Sequence, residues 1–238
     1  MSLSAYCWRA LGAPRIFRWT ARASGPLALA ARALGKEPHS SLDPSSQTVV
    51  FRELLQRLRV GEFDGPIPAR FDDEERLARI HRENACLLLF GMHGGLIWAA
   101  LSAARLRGWP PALIAASQVR PLPQVQRLHR SPTVLLQARK LLRQGGAVFA
   151  MLETASRAEG LATGRIEAQD KLLAFAHRVG VRPVAFSPEL EPGGSILIHT
   201  APGPIPRLPL EPFLQHARSD FQAFFGGRLG LRIEWSKR

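Results

Sequence analysis

The residues best placed to do chemistry are Met92-His93-Gly94-Gly95, directly after the apolar run Ala85-Cys-Leu-Leu-Leu-Phe90. A histidine that closes a buried strand and opens a helix stands where α/β enzymes carry reactive groups. Its imidazole can act as a general base near neutral pH. The N–H groups of Gly94 and Gly95, unhindered by side chains, can stabilise an oxyanion or hold a phosphate. From Asn84 to Leu152 there is no Asp or Glu, so His93 has no acidic partner near it in sequence. The same stretch holds Arg105, Arg107, Arg120, Arg127, Arg130, Arg139, Lys140 and Arg143. Of these, Arg105, Arg107, Arg139, Lys140 and Arg143 read as a solvated positive face. The remaining histidines His81, His129, His177, His199 and His216 have no evident partner and read as structural or exposed.

These residues need a scaffold, and the pattern supplies an alternation of strands and helices. Phe51–Arg59 reads as a short amphipathic helix, Gly61–Pro68 as a loop and Asp72–Glu83 as a charged helix started by its two aspartates. Ala85–Phe90, Ala112–Ser117, Ala147–Leu152, Val184–Phe186, Ser195–His199 and Leu231–Trp235 read as strands. Leu96–Leu106, a segment within Arg130–Arg143, Ile166–Val179 and Phe213–Phe225 read as helices, with Gly180 as a C-terminal stop. The stretches 188–194 and 201–212, rich in Gly and Pro, read as surface connections. Continuous apolar strands between helices predict an α/β fold with a mostly parallel central sheet flanked by helices. Residues 85–104 are long enough to span a bilayer, but the break at Gly91-Met-His-Gly-Gly95 favours a strand, a turn and a helix.

The formal net charge of +13 favours polyanionic partners: anionic lipid, coenzyme A, an acidic carrier protein or nucleic acid. A single Tyr in 238 residues, with no Gly/aromatic RNA-binding signature, weighs against nucleic acid. Two cysteines, Cys7 and Cys86, make no disulfide framework, and no Cys/His cluster has zinc spacing. Neither metal nor cofactor is expected. Residues 1–36 carry six basic residues and no acid, interleaved with Trp8, Leu11, Phe17, Trp19 and Leu27. This predicts a basic amphipathic segment over 1–40 that lies on a membrane surface, ahead of an α/β domain over 41–238. An ordinary packed basic helix and a transit peptide are the alternatives.

Ala112-Leu-Ile-Ala-Ala-Ser-Gln-Val-Arg120-Pro, then Arg127 and Arg130, then Leu141-Leu-Arg-Gln-Gly-Gly146, then a strand closed by Glu153, then Gly164-Arg165 and Arg182-Pro183-Val184 follow one another in order. With the strand ending in His93, this succession resembles the lysophospholipid acyltransferase superfamily, and within it the bacterial lipid A late acyltransferases. The resemblance covers about residues 50–190, each motif being weak and their order moderately specific. It implies acyl transfer from a thioester of acyl carrier protein or coenzyme A to a lipid-type hydroxyl or amine, at the cytoplasmic face of the inner membrane. The resemblance assigns the base to His93, and contacts to donor or acceptor phosphate to Arg120, Gly164 and Arg165.

The family pattern places an Asp or Glu five residues after the histidine, where this chain has Trp98. Three readings follow. Glu153 can approach His93 across the sheet and substitute, its plainer role being a surface carboxylate that caps the next helix. A backbone carbonyl can orient His93 instead, leaving Trp98 to line an acyl pocket. Or the chain is a non-catalytic relative that keeps lipid or carrier binding. His-Gly-Gly is also similar to the oxyanion loop of esterases and thioesterases, but no Gly-x-Ser-x-Gly accompanies it.

Overall fold

Leu87–Gly91 (β2) and Ala147–Met151 (β5) are buried along their whole lengths. Strands with no wet face belong in the middle of a sheet covered on both sides, and the computed structural model puts them there. It describes residues 69–92, 96–115, 125–129, 131–153, 164–191 and 196–236. The segment 1–40, the helix read at Phe51–Arg59 and the loop Gly61–Pro68 lie outside the described residues.

Around the central pair run β1 (Ala69–Phe71), β3 (Pro111–Ala115), β4 (Gln126–His129), β7 (Pro183–Leu190) and β8 (Ile196–Pro202). The strand order is β1-β8-β7-β2-β5-β3-β4. Every neighbouring pair is parallel except β7 with β8. β6 (Arg165–Gln169) and β9 (Arg232–Ser236) form a separate parallel pair.

Alternate residues of each strand face opposite layers. Leu87, Leu89, Phe149, Val184 and Phe186 pack with α1 (Glu74–Asn84) and α2 (Ile97–Leu106). Leu88, Phe90, Val148, Ala150 and Ala185 pack with α3 (Val134–Arg143), α4 (Asp170–Val179) and α5 (Leu210–Leu229). The result is the three-layer α/β arrangement expected from the alternation of patterns. Among the described residues no helix is long and apolar enough to cross a membrane, and residues 85–104 supply β2 and most of α2.

Helix ends follow local chemistry. Asp73 accepts a hydrogen bond from the Arg76 N–H at 2.9 Å and caps α1. Gly180 closes α4 at φ +73°, a left-handed conformation that favours glycine.

Four features of the structure depart from the sequence pattern. Ile166–Val179 is not one helix: Arg165–Gln169 is a strand, and α4 begins at Asp170. Ile166 and Ala168 are buried between exposed Arg165 and Glu167, a period of two that pairing with β9 stabilises. The stretches 188–194 and 201–212 are only partly connections, because β7 reaches Leu190, β8 reaches Pro202 and α5 starts at Leu210. β1 and β4 had no counterpart in the pattern. Three histidines do have partners. His81 stacks on Trp109 and lies 3.1 Å from the Gly145 oxygen. His177 lies 2.7 Å from the Leu208 oxygen. His199 lies 2.9 Å from Glu189 and 3.5 Å from Asp72.

Candidate active site

β2 and β5 leave the sheet at the same level. Gly91 is in register with Met151, and the Leu152 N–H donates to the Gly91 oxygen at 3.0 Å. A side chain at Gly91 would have its Cβ 2.6 Å from Phe186, so this end of β2 fits directly against the aromatic core. Met92 comes next, and His93 follows it in sequence. His93, Gly94, Gly95 and Arg120 lie outside the described residues. Trp98 belongs to the first turn of α2, but its side chain is outside them as well.

Glu153 lies just past the end of β5, where an isolated antiparallel bridge joins it to Ala168. The residue is only 4% exposed, so a surface carboxylate that caps a helix does not describe it. It borders a pocket of about 370 Å³ at the C-terminal ends of β3 and β5. Ile114, Leu135, Met151 and Leu172 give the pocket apolar walls. Ser131, Gln169 and Lys171 join Glu153 as its polar lining. A cleft beyond the carboxyl ends of parallel strands, apolar with a few polar groups, is the usual ligand position in this architecture.

Gly164 and Arg165 are placed differently. Gly164 accepts from the Arg232 N–H at 2.8 Å and leads into β6. The Arg165 side chain is 63% exposed and lies 3.9 Å from Glu234. Gln169 reaches the pocket from the other end of β6, four residues on and about 13 Å away at the usual strand rise. The structure therefore brings Glu153 to the pocket and sets Arg165 apart from it along β6.

Two other buried ionisable groups stand in different surroundings from Glu153. Asp170, the first residue of α4, binds the Arg218 guanidinium through both oxygens, at 2.9 and 2.5 Å. The side-chain hydrogen bond to Asp170 raises the Arg218 pKa above its ordinary value, with Coulombic help from Asp170 and Glu211 and against the burial that lowers it. Cys86 is 3% exposed, and burial pushes its thiol up to about 11, which agrees with a plain core residue.

Ser131, Gln169 and Lys171 escaped the sequence reading because they come from segments far apart in the chain. The one available signal was Ser131-Pro-Thr133 ahead of an amphipathic helix. Of the residues expected to form a solvated face, Arg139, Lys140 and Arg143 are exposed, whereas Arg105 and Arg107 are half-buried, Arg107 pairing with Glu74. No family model matches the chain, and no curated protein matches it significantly. The acyltransferase resemblance thus rests on the motifs themselves.

Proposed function

We propose that this protein is an acyltransferase that moves an acyl group from a thioester of acyl carrier protein or coenzyme A to a hydroxyl or amine of a lipid-type acceptor at a membrane surface. One observation carries the reading. The strand leading to His93 and the strand closed by buried Glu153 are neighbours in register, and Glu153 borders a pocket at that edge.

The chemistry follows from the groups. The His93 imidazole takes the proton of the acceptor hydroxyl while its oxygen attacks the thioester carbonyl carbon. The N–H groups of Gly94 and Gly95 donate to the oxyanion. As the tetrahedral intermediate collapses, the C–S bond breaks and the imidazolium returns its proton to the departing thiolate. Glu153 stands in for the missing acid and balances the imidazolium, at the step where the family relies on the residue that is Trp98 here. Lys171 at the pocket and Arg120 contact donor or acceptor phosphates. The basic segment 1–40 and the net charge of +13 favour an anionic membrane as the place of work, the chain being peripheral to the cytoplasmic face of the inner membrane.

The test is His93→Ala, with thiol release and acylated lipid measured from a medium-chain acyl thioester. Transfer falls at least about 100-fold if His93 is the general base. A wild-type protein that binds donor and lipid but never turns over is instead the non-catalytic relative, a reading that Trp98 in the acid's place favours. Free fatty acid released without an acceptor marks a thioesterase.

A further inference from the structure

The loop between β8 and α5, taken with the first residue of the helix as Gly203-Pro-Ile-Pro-Arg-Leu-Pro-Leu210, leaves three large apolar side chains exposed. Ile205 is 55% exposed, Leu208 36% and Leu210 44%. They are not there for want of anchoring. The Gly203 N–H donates to the Pro183 oxygen at 2.8 Å, and Arg182 Nε donates to the Gly203 oxygen at 2.7 Å. His177 holds the Leu208 oxygen at 2.7 Å, and the Phe213 N–H donates to the Pro209 oxygen at 3.0 Å. Pro204, Pro206 and Pro209 each fix a backbone angle between these ties. A stiff loop loses little freedom when its side chains are buried against a partner.

The charge around the loop identifies that partner. Arg207 lies within the loop and is exposed, and Arg178 is exposed in the last turn of α4, beside His177. No acid occurs between Glu191 and Glu211, so Glu211, exposed in the first turn of α5, is the one carboxylate next to the loop in sequence, against the two arginines. Aliphatic side chains at acyl depth with arginines at the headgroups are the pattern of interfacial binding to anionic lipid. The basic segment 1–36 is a poor occupant, because it would meet like charge.

We infer that the 203–210 loop docks this domain onto an anionic bilayer, with Ile205, Leu208 and Leu210 inserted and Arg207 and Arg178 on lipid phosphates. The surface is separate from the segment 1–40. Pro202 pairs with Val184 near the start of β7, so the loop lies at the sheet edge opposite the pocket. Five-residue strands separate the two edges by roughly 15 Å. Docked this way, the pocket faces water, where a soluble carrier brings the donor. The acceptor must then present its reactive group clear of the headgroup plane. The inference rests on the membrane partner in the function proposed above, but it is read without turnover, so each can fail alone.

The test uses the full chain and co-sedimentation with phosphatidylcholine vesicles, with and without phosphatidylglycerol. Ile205→Ser/Leu208→Ser/Leu210→Ser lowers partition onto phosphatidylglycerol vesicles at least about tenfold. Arg207→Gln lowers it about fivefold. Leu136→Ser, at a 65% exposed leucine on α3, leaves it unchanged. A second readout is independent of the triple variant's folding. Leu208→Cys in a Cys7→Ser background carries a polarity-sensitive dye, and its emission shifts to the blue on phosphatidylglycerol vesicles. Unchanged partition of the triple variant with an unshifted dye overturns the inference. So does a wild-type dimer in sedimentation equilibrium that the triple variant loses, with vesicle binding unaffected, because the loop then joins two copies of this chain.

Discussion

Asp170 and Glu153 are both buried carboxylates near the C-terminal ends of the parallel strands, at 6% and 4% exposure. Their surroundings differ in kind. Asp170 gives both oxygens to one guanidinium, so its hydrogen-bonding capacity is spent on joining α4 to α5. Glu153 borders a pocket and follows a strand in register with the one that leads to His93. Burial alone therefore does not separate a structural carboxylate from a functional one. Position does: Asp170 joins two helices through Arg218, and Glu153 stands at the pocket.

The largest expected effect breaks the structural side of the contrast. Asp170→Ala leaves Arg218 partly buried without its carboxylate, and stability falls by about 3 kcal/mol in chemical denaturation. Acyl transfer by the molecules that remain folded stays close to normal. Glu153→Gln does the reverse. Transfer falls about 100-fold, or about 2.7 kcal/mol of transition-state stabilisation, while the denaturation midpoint moves by less than about 1 kcal/mol. If Glu153→Gln instead unfolds the domain and spares turnover in what remains, the two carboxylates play the same part.

Cys86 extends the contrast to a third buried ionisable group, one sealed in the core. Burial lifts its pKa from the ordinary thiol value of 9.0 to about 11. An acid whose pKa rises on folding adds stability that is fully present below about pH 9 and is lost as the pH climbs through about 11. The expected loss across that window is roughly 2.7 kcal/mol. Cys86→Ala flattens this part of the stability–pH curve, and an unchanged slope would show that another group titrates there. The smallest effect is at the pocket mouth. Lys171→Ala raises KM for the thioester donor about fivefold, with kcat and stability unchanged, as expected for a solvated charge that meets an anionic donor.

The sequence made the middle of the molecule legible and its margins obscure. β2 and β5 could be read because residues buried on both faces must be apolar without interruption. α1 could be read from Asp73 and the leucine and isoleucine that follow it. β1 has three residues and β4 has only Leu128 buried, too little for a periodic signal. β6 reads as a helix start in the sequence because its pairing depends on β9, far along the chain. The start of α5 was hidden by Pro212, which sits in the first turn, where a missing N–H costs nothing. At the candidate site, Glu153 stood out as the first acid after a long basic stretch. Its burial and its neighbours Gln169 and Lys171 depend on how distant segments meet.

The pairing of β6 with β9 has a consequence for how the protein is made. All seven strands of the main sheet lie ahead of α5 in the chain, so the sheet can assemble once β8 has left the ribosome. β6 cannot find its partner until α5 and β9 have also emerged. Gln169, which closes one side of the pocket, belongs to β6. In a nascent chain all the strands of the main sheet can thus be present while β6, which carries Gln169 to the pocket, still waits for β9.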